Sequence, residues 1–103
     1  MAATDTVLDR SEQHRYEIDR DGESVGVLEY RLRTGAIALM HTEVPAEYGG
    51  QGLASRLIRH ALDDARRRDL AVLPYCPFVR TYIEKHSEYL DLVPADRREE
   101  FEL

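Results

Sequence analysis

Two short stretches of this chain bring together residue types that can do chemistry. In His41-Thr42-Glu43, His41 is a candidate general base; in Tyr75-Cys76-Pro77, Cys76, the single cysteine of the chain, is a candidate nucleophile. Pro77 can open a helix, and a helix starting there would aim the positive end of its dipole at the Cys76 sulfur, which favours a thiolate. Simpler uses stand beside both. His41 alternates with Ile37 and Leu39 and reads equally as a core histidine with a satisfied hydrogen bond, and a free cysteine is commonly a small buried hydrophobe. Between these stretches lies Val-Pro-Ala-Glu-Tyr-Gly-Gly-Gln-Gly-Leu-Ala-Ser-Arg, residues 44–56, whose glycines are Gly49, Gly50 and Gly52. Glycine permits positive φ and close approach of the backbone to a ligand. A helix starting just beyond offers unpaired N–H groups and a positive dipole end, and together these favour an anion such as a pyrophosphate. The alternative is a plain tight loop in which the glycines only turn the chain.

The elements around these residues follow from periodicity. Tyr16 and Ile18 alternate with charged residues up to a turn at Asp21-Gly22, and Val25, Val27, Leu28, Tyr30 and Leu32 form a second strand closed by Thr34-Gly35. Residues 36–44 are a third, more apolar strand. Tight turns between successive strands imply an antiparallel sheet. After the glycines, Leu53, Ala54, Leu57, Ile58, Ala61, Leu62 and Ala65 make one continuous helix face, with Asp63, Asp64 and the arginines on the remaining surface. Residues 70–75 read as a short buried strand, so strand, helix and strand form a right-handed crossover with parallel pairing. A second helix from Pro77 takes Phe78, Tyr82, Ile83 and His86 as its inner face, and residues 89–93 read as a final strand. The expected fold class is α+β: a mixed, mainly antiparallel sheet with a β-α-β crossover and helices packed on it. The expected organisation is a flexible N-terminus over residues 1–11, one domain over 12–94 and a charged tail over 95–103.

Composition narrows the function classes. A chain of 103 residues that is 43% hydrophobic and 33% charged is one globular domain. Its net charge of -6 argues against non-specific nucleic-acid binding and is compatible with a cationic substrate such as an amine. No apolar run reaches the length of a membrane span, the first residues lack a signal-peptide pattern, and one cysteine gives no disulfide framework, so a cytoplasmic location is expected. A phosphate-binding Walker loop would end in Gly-Lys-Ser/Thr, where this turn has Gly52-Leu53-Ala54; a dinucleotide fold would need an acid after the next strand, where the chain has Pro74-Tyr75-Cys76-Pro77. His41-x-Glu43 with Pro74 and Cys76 falls one cysteine short of a zinc deaminase site, and no metal is expected. His14, His60 and His86 read as surface or packing residues.

Gly50-x-Gly52-x-Ala54, after a strand ending in Val44-Pro45, resembles the acyl-coenzyme A binding motif of the GNAT N-acetyltransferases. The resemblance runs over about residues 15–93. His41-Thr42-Glu43-Val44-Pro45, Gly49-Gly50-Gln51-Gly52 and Pro74-Tyr75-Cys76-Pro77-Phe78-Val79, with Tyr82-Ile83 and His86, look like the compact single-domain subgroup of that family. Glu47 departs from the pattern, since that position often carries Gln or Arg, and it is left out of the site. The resemblance implies acetyl-coenzyme A as co-substrate and an amine acceptor, either a small molecule or a protein amino group. It implies a pyrophosphate on Gly49, Gly50, Gln51, Gly52, Leu53, Ala54 and Ser55, and a pantetheine arm along Thr42 and Val44. The acetyl group would arrive between His41 and Cys76, transferred directly or through a Cys76 thioester that His41 activates, with Tyr82 protonating the coenzyme A thiolate. The alternative is a non-catalytic module that binds coenzyme A or its acyl forms and acts through a protein partner.

Overall fold

The computed structural model describes residues 5–103. Strand β1 (Asp5–Arg10) pairs antiparallel with β2 (Arg15–Arg20), β2 with β3 (Glu23–Arg33), and β3 with β4 (Ala36–Glu43). The expected meander is present, with its turns carried by positive φ at Asp21, Gly22 and Gly35. One difference lies at its start. The stretch expected to be loose contains β1, and residues 1–4 of that stretch lie outside the described residues. The partners that order β1 are distant in sequence: Arg20 holds both Asp5 oxygens, at 2.9 and 3.2 Å, and the Tyr30 hydroxyl donates to Asp9 at 2.6 Å. Burial first pushes the Tyr30 phenol well above its ordinary pKa, and the Asp9 hydrogen bond adds to it.

Helix α1 (Leu53–Arg67) then crosses to β5 (Ala71–Pro74), which pairs parallel with β4 from Ala36↔Ala71 to Leu39↔Pro74 and completes the order β1-β2-β3-β4-β5. The expected face of α1 is the buried one: Leu53, Leu57, Ile58, Ala61, Leu62 and Ala65 meet Tyr16, Ile18, Leu28, Tyr30 and Leu39 of the sheet. Asp64 joins this face instead of solvent. Tyr16, 48 residues away in sequence, donates its hydroxyl to Asp64 at 2.6 Å, and Arg67 and Arg68 hold the other lone pairs. Burial raises the Asp64 pKa, but the Tyr16 and Arg68 hydrogen bonds and the two arginine charges outweigh it and leave the carboxyl below its ordinary range.

Helix α2 (Pro77–Lys85) buries Val79 and Ile83, an i, i+4 pair, so of the expected inner face only Ile83 is fully inside. Phe78 and Tyr82, each one position earlier, are turned toward α1. Residues expected to form a last strand are a 3₁₀ segment, Ser87–Leu92, tied by Tyr89 donating to Asp63 at 2.6 Å and Arg66 gripping Asp91. The Asp63 hydrogen bond, with burial behind it, lifts the Tyr89 phenol to about 12. The charged tail is not wholly solvated either: Phe101 is buried, its ring edge-on to Tyr75 at 5.1 Å, while Arg97 donates to the Tyr75 hydroxyl at 3.1 Å. Arg80 turns back from α2 to donate to the carbonyls of Pro74 and Tyr75, at 3.5 and 3.2 Å. Among the described residues no helix is long and apolar enough to cross a membrane.

Candidate functional site

The glycine turn is an open cradle at the head of α1. Gly50 and Gly52 have φ of +78° and +75°, and a Cβ built on either meets nothing within 4 Å, so the strain there is conformational and the space in front is free. Gly49 has ordinary extended φ, but a Cβ on it would lie 3.2 Å from the Ala46 carbonyl. Gly52 caps α1 in the left-handed conformation without a side-chain bond, and the first amide to donate back into the helix is that of Arg56, to Gly52 O at 3.1 Å. The N–H groups of Leu53, Ala54 and Ser55 therefore lack intrahelical partners, and no acid occupies the first turn. Gln51 is exposed beside them and Leu53 anchors the turn in the core. Among the cofactor-binding candidates, Gly49–Ser55 thus form one unit that can hold a phosphate by backbone alone.

The second part is a fork between β4 and β5. Their pairing stops at Leu39↔Pro74, and the Cys76 amide makes the last link, donating to Leu39 O at 2.9 Å. β5 then turns away into α2, while β4 continues through Glu43 bonded to β3. A β-bulge decides what this free half of β4 presents. Glu29 is paired with His41 and Tyr30 with Leu39, so Met40 is the extra residue. Alternation with Ile37 and Leu39 would put His41 inside; the inserted Met40 instead gives the inner position to Thr42. Thr42 is 5% exposed and lies beside Cys76, which is 1% exposed, with Oγ1 3.3 Å from Sγ. His41 is on the opposite face of the sheet, its side chain 57% exposed and its Nε2 3.6 Å from Glu43. The expected pairing of His41 with Cys76 is therefore absent: Thr42 is the cysteine's partner, and the bulge is the reason. Sequence periodicity could not reveal this, since the extra residue exists only relative to β3. Val44, just beyond β4, packs against Gly26, where a Cβ would come within 3.1 Å of it.

The third part is a groove of about 230 Å³ between the helices, walled by Ala54, Ser55 and Ile58 on α1 and by Phe78, Tyr82 and Lys85 on α2. It opens beside the glycine turn, because Ala54 and Ser55 belong to both. Tyr82 stacks on His86 with centroids 4.1 Å apart, and burial raises its phenol pKa against the opposing charge of Arg59. Phe78 is 61% exposed, an aromatic ring on the surface of an otherwise well-packed helix. The structure brings Tyr82 to the head of α1 and not into contact with His41. Phe78, Lys85 and the Thr42 side chain are the site features that sequence reading missed; Phe78 was expected on the inner face of α2 with Tyr82, Ile83 and His86, and the structure leaves it open. Among the described residues no cluster of three or more His, Cys, Asp or Glu is arranged to hold a metal.

Comparison with known proteins gives the family and the fold. A family model described as GCN5-related N-acetyl-transferase matches residues 15–92. Protein NATD1 of Homo sapiens and that of Gallus gallus are each 35% identical over 57 residues, 53% of this chain. These matches cover 52% of the Gallus protein and 50% of the human one, so the chain spans about half the length of these curated relatives. Protein NATD1 of Danio rerio is 28% identical over 90% of this chain and 96% of its own. Among solved structures, a GCN5-like protein from Staphylococcus aureus superposes with a TM-score of 0.67 at 25% identity, covering 86% of this chain and 87% of its own. The ribosomal-protein-alanine N-acetyltransferase of Brucella melitensis biovar Abortus 2308 shares the fold, with a TM-score of 0.55 at 18% identity over 92% and 93% of the two chains.

Proposed function

Because the chain belongs to the GCN5-related N-acetyltransferase family, we propose that it moves an acetyl group from acetyl-coenzyme A to an amine. The observation that carries this reading is the joint presence of three features: the open glycine cradle, the half of β4 that β5 leaves, and a buried cysteine at the fork. In this reading the amides of Gly50–Ser55 hold the pyrophosphate. The β4 backbone near Thr42 and Val44 takes the pantetheine arm by strand-like hydrogen bonds. In the groove between α1 and α2, Phe78 offers the cofactor a ring face and Lys85 a positive charge.

At the acyl end, an amine attacks the thioester carbonyl, the carbon–sulfur bond breaks, and the departing thiolate takes up a proton. Tyr82, whose phenol burial raises above its ordinary pKa, is the donor in this reading. His41 lies on the face away from Cys76, so it serves the acceptor: with Glu43 beside it and Glu29 opposite it on β3, it takes the proton of an incoming ammonium. Cys76 adds a second route in which its sulfur accepts the acetyl group as a thioester before the amine does. A cytoplasmic enzyme acting on a small amine or a protein amino group fits the acidic balance of the chain.

Intact-mass measurement after incubation with acetyl-coenzyme A tests the reading, together with coenzyme A release over a panel of amines. Turnover on an amine supports it, and one added acetyl group that vanishes in Cys76→Ala assigns the covalent route. Tight binding of coenzyme A with neither acetylation nor turnover would identify a non-catalytic binding module instead. Failure to bind coenzyme A would overturn both.

A further inference from the structure

The geometry points to Thr42 as the residue that aims the Cys76 sulfur and supports its negative charge; this rests on the covalent route proposed above. Thr42 is a costly residue at its position. Its side chain is buried on the helix side of the sheet, opposite Leu28 on β3, where valine would fill the same volume without a hydroxyl to satisfy. Among the described residues the hydroxyl's hydrogen-bond partner is the Cys76 sulfur, a weak one. A buried hydroxyl spent on a thiol contributes little to folding. It contributes a great deal once the sulfur is charged, because a hydrogen bond to an ionised group is about twice as strong as a neutral one.

The surrounding backbone makes the pair rigid. The bulge at Met40 turns Thr42 inward, and the Cys76 amide is tied to Leu39 O, so both side chains hang from fixed points at the fork. Cys76 is also the N-cap of α2, which adds the positive end of that helix to the same sulfur. In the transfer step Sγ attacks the acetyl carbonyl, a new sulfur–carbon bond forms, the bond to the coenzyme A sulfur breaks, and the thiol proton ends on that departing sulfur. No electrons are gained or lost overall. Either atom can donate in the resting pair, but once the sulfur is charged the Thr42 hydroxyl is the donor, to the thiolate and then to the thioester that replaces it.

Thr42→Val and Thr42→Ser test this. Cys76 is the sole cysteine, so its S–H stretch is a single infrared band; in Thr42→Val that band moves to the position of an unbonded thiol, and Thr42→Ser restores it. Acetylation of Cys76 by acetyl-coenzyme A, followed by intact mass, slows about tenfold or more in Thr42→Val, the worth of one hydrogen bond to a charged group, and recovers in Thr42→Ser. Thermal stability of Thr42→Val stays equal or rises, and coenzyme A affinity changes less than about twofold, since the backbone contacts remain. A structural role would move stability and chemistry down together. Unchanged acetylation in Thr42→Val overturns the proposal, as does an unshifted S–H band. If the unsubstituted protein binds coenzyme A but is never acetylated on Cys76, the covalent route fails by itself, and the infrared band still decides whether Thr42 holds the sulfur.

Discussion

The two halves of β4 form one strand with two different surroundings. From Ala36 to Leu39 it lies between β3 and β5, and Ile37, Ala38 and Leu39 are all buried. From Met40 to Glu43 it keeps β3 but has lost β5, and only Thr42 is buried. The first half is apolar because both its edges and both its faces are covered. The second carries His41, Thr42 and Glu43 because one edge is open and its faces differ. The border is marked on each side by a local defect, the bulge at Met40 and the proline at 74 that ends β5. Stability and chemistry are thus separated by a single residue step, and substitutions on either side of that step should have different consequences.

The largest effect is expected in the closed half. Leu39→Ala removes a fully buried side chain and should cost about 2–5 kcal/mol in chemical denaturation, with coenzyme A affinity per folded molecule little changed. A loss of affinity without loss of stability would break the comparison. Asp64→Ala, under the same closed region, leaves the Tyr16 hydroxyl unsatisfied and should cost about 1–3 kcal/mol. The folded Asp64 carboxyl is depressed, so its stabilisation is fully present above the ordinary carboxylate range and is lost as pH falls through its folded value. The stability of the unsubstituted protein should accordingly fall more steeply in acid than that of Asp64→Ala. Deleting Met40 acts on the open half: it removes the extra residue, keeps Thr42 inward and straightens the strand. Coenzyme A affinity, read by calorimetry, should drop about tenfold, or roughly 1.4 kcal/mol, while the fold persists. Undiminished affinity would assign the opening to the end of β5 alone. His41→Ala is the smallest in energy, within about 0.5 kcal/mol of the parent as an exposed position, yet it should slow amine turnover without slowing Cys76 acetylation.

Legibility in the sequence followed the range of the interactions concerned. The glycine turn, α1 and the meander were readable because periodicity and turn chemistry are local. The open backbone at the head of α1 was readable for the same reason, since Gly50, Gly52 and the helix start are neighbours in the chain. The partner of Cys76 was not, because the face that His41 occupies depends on a register shift between Glu29 and Tyr30 on another strand. Asp64 shows the same limit: its pattern is that of a surface acid, and only the approach of Tyr16 makes the interior acceptable. β1 has Val7 and Leu8 among polar neighbours, too weak an alternation to mark a strand, and its order comes from Arg20, Tyr30 and the edge of β2.

The contact of Arg80 with the carbonyls of Pro74 and Tyr75 has a consequence for how copies of this chain meet one another. β5 has four residues and is the last strand of the sheet, so among the described residues no strand pairs with its outer edge. An open edge of this kind is a template on which a second chain can extend the sheet. Pro74 lacks the amide such pairing would use, and the Arg80 guanidinium occupies the carbonyls that would receive it. The same few atoms that bring β5 to an end at the fork also make it a poor seed for polymerisation.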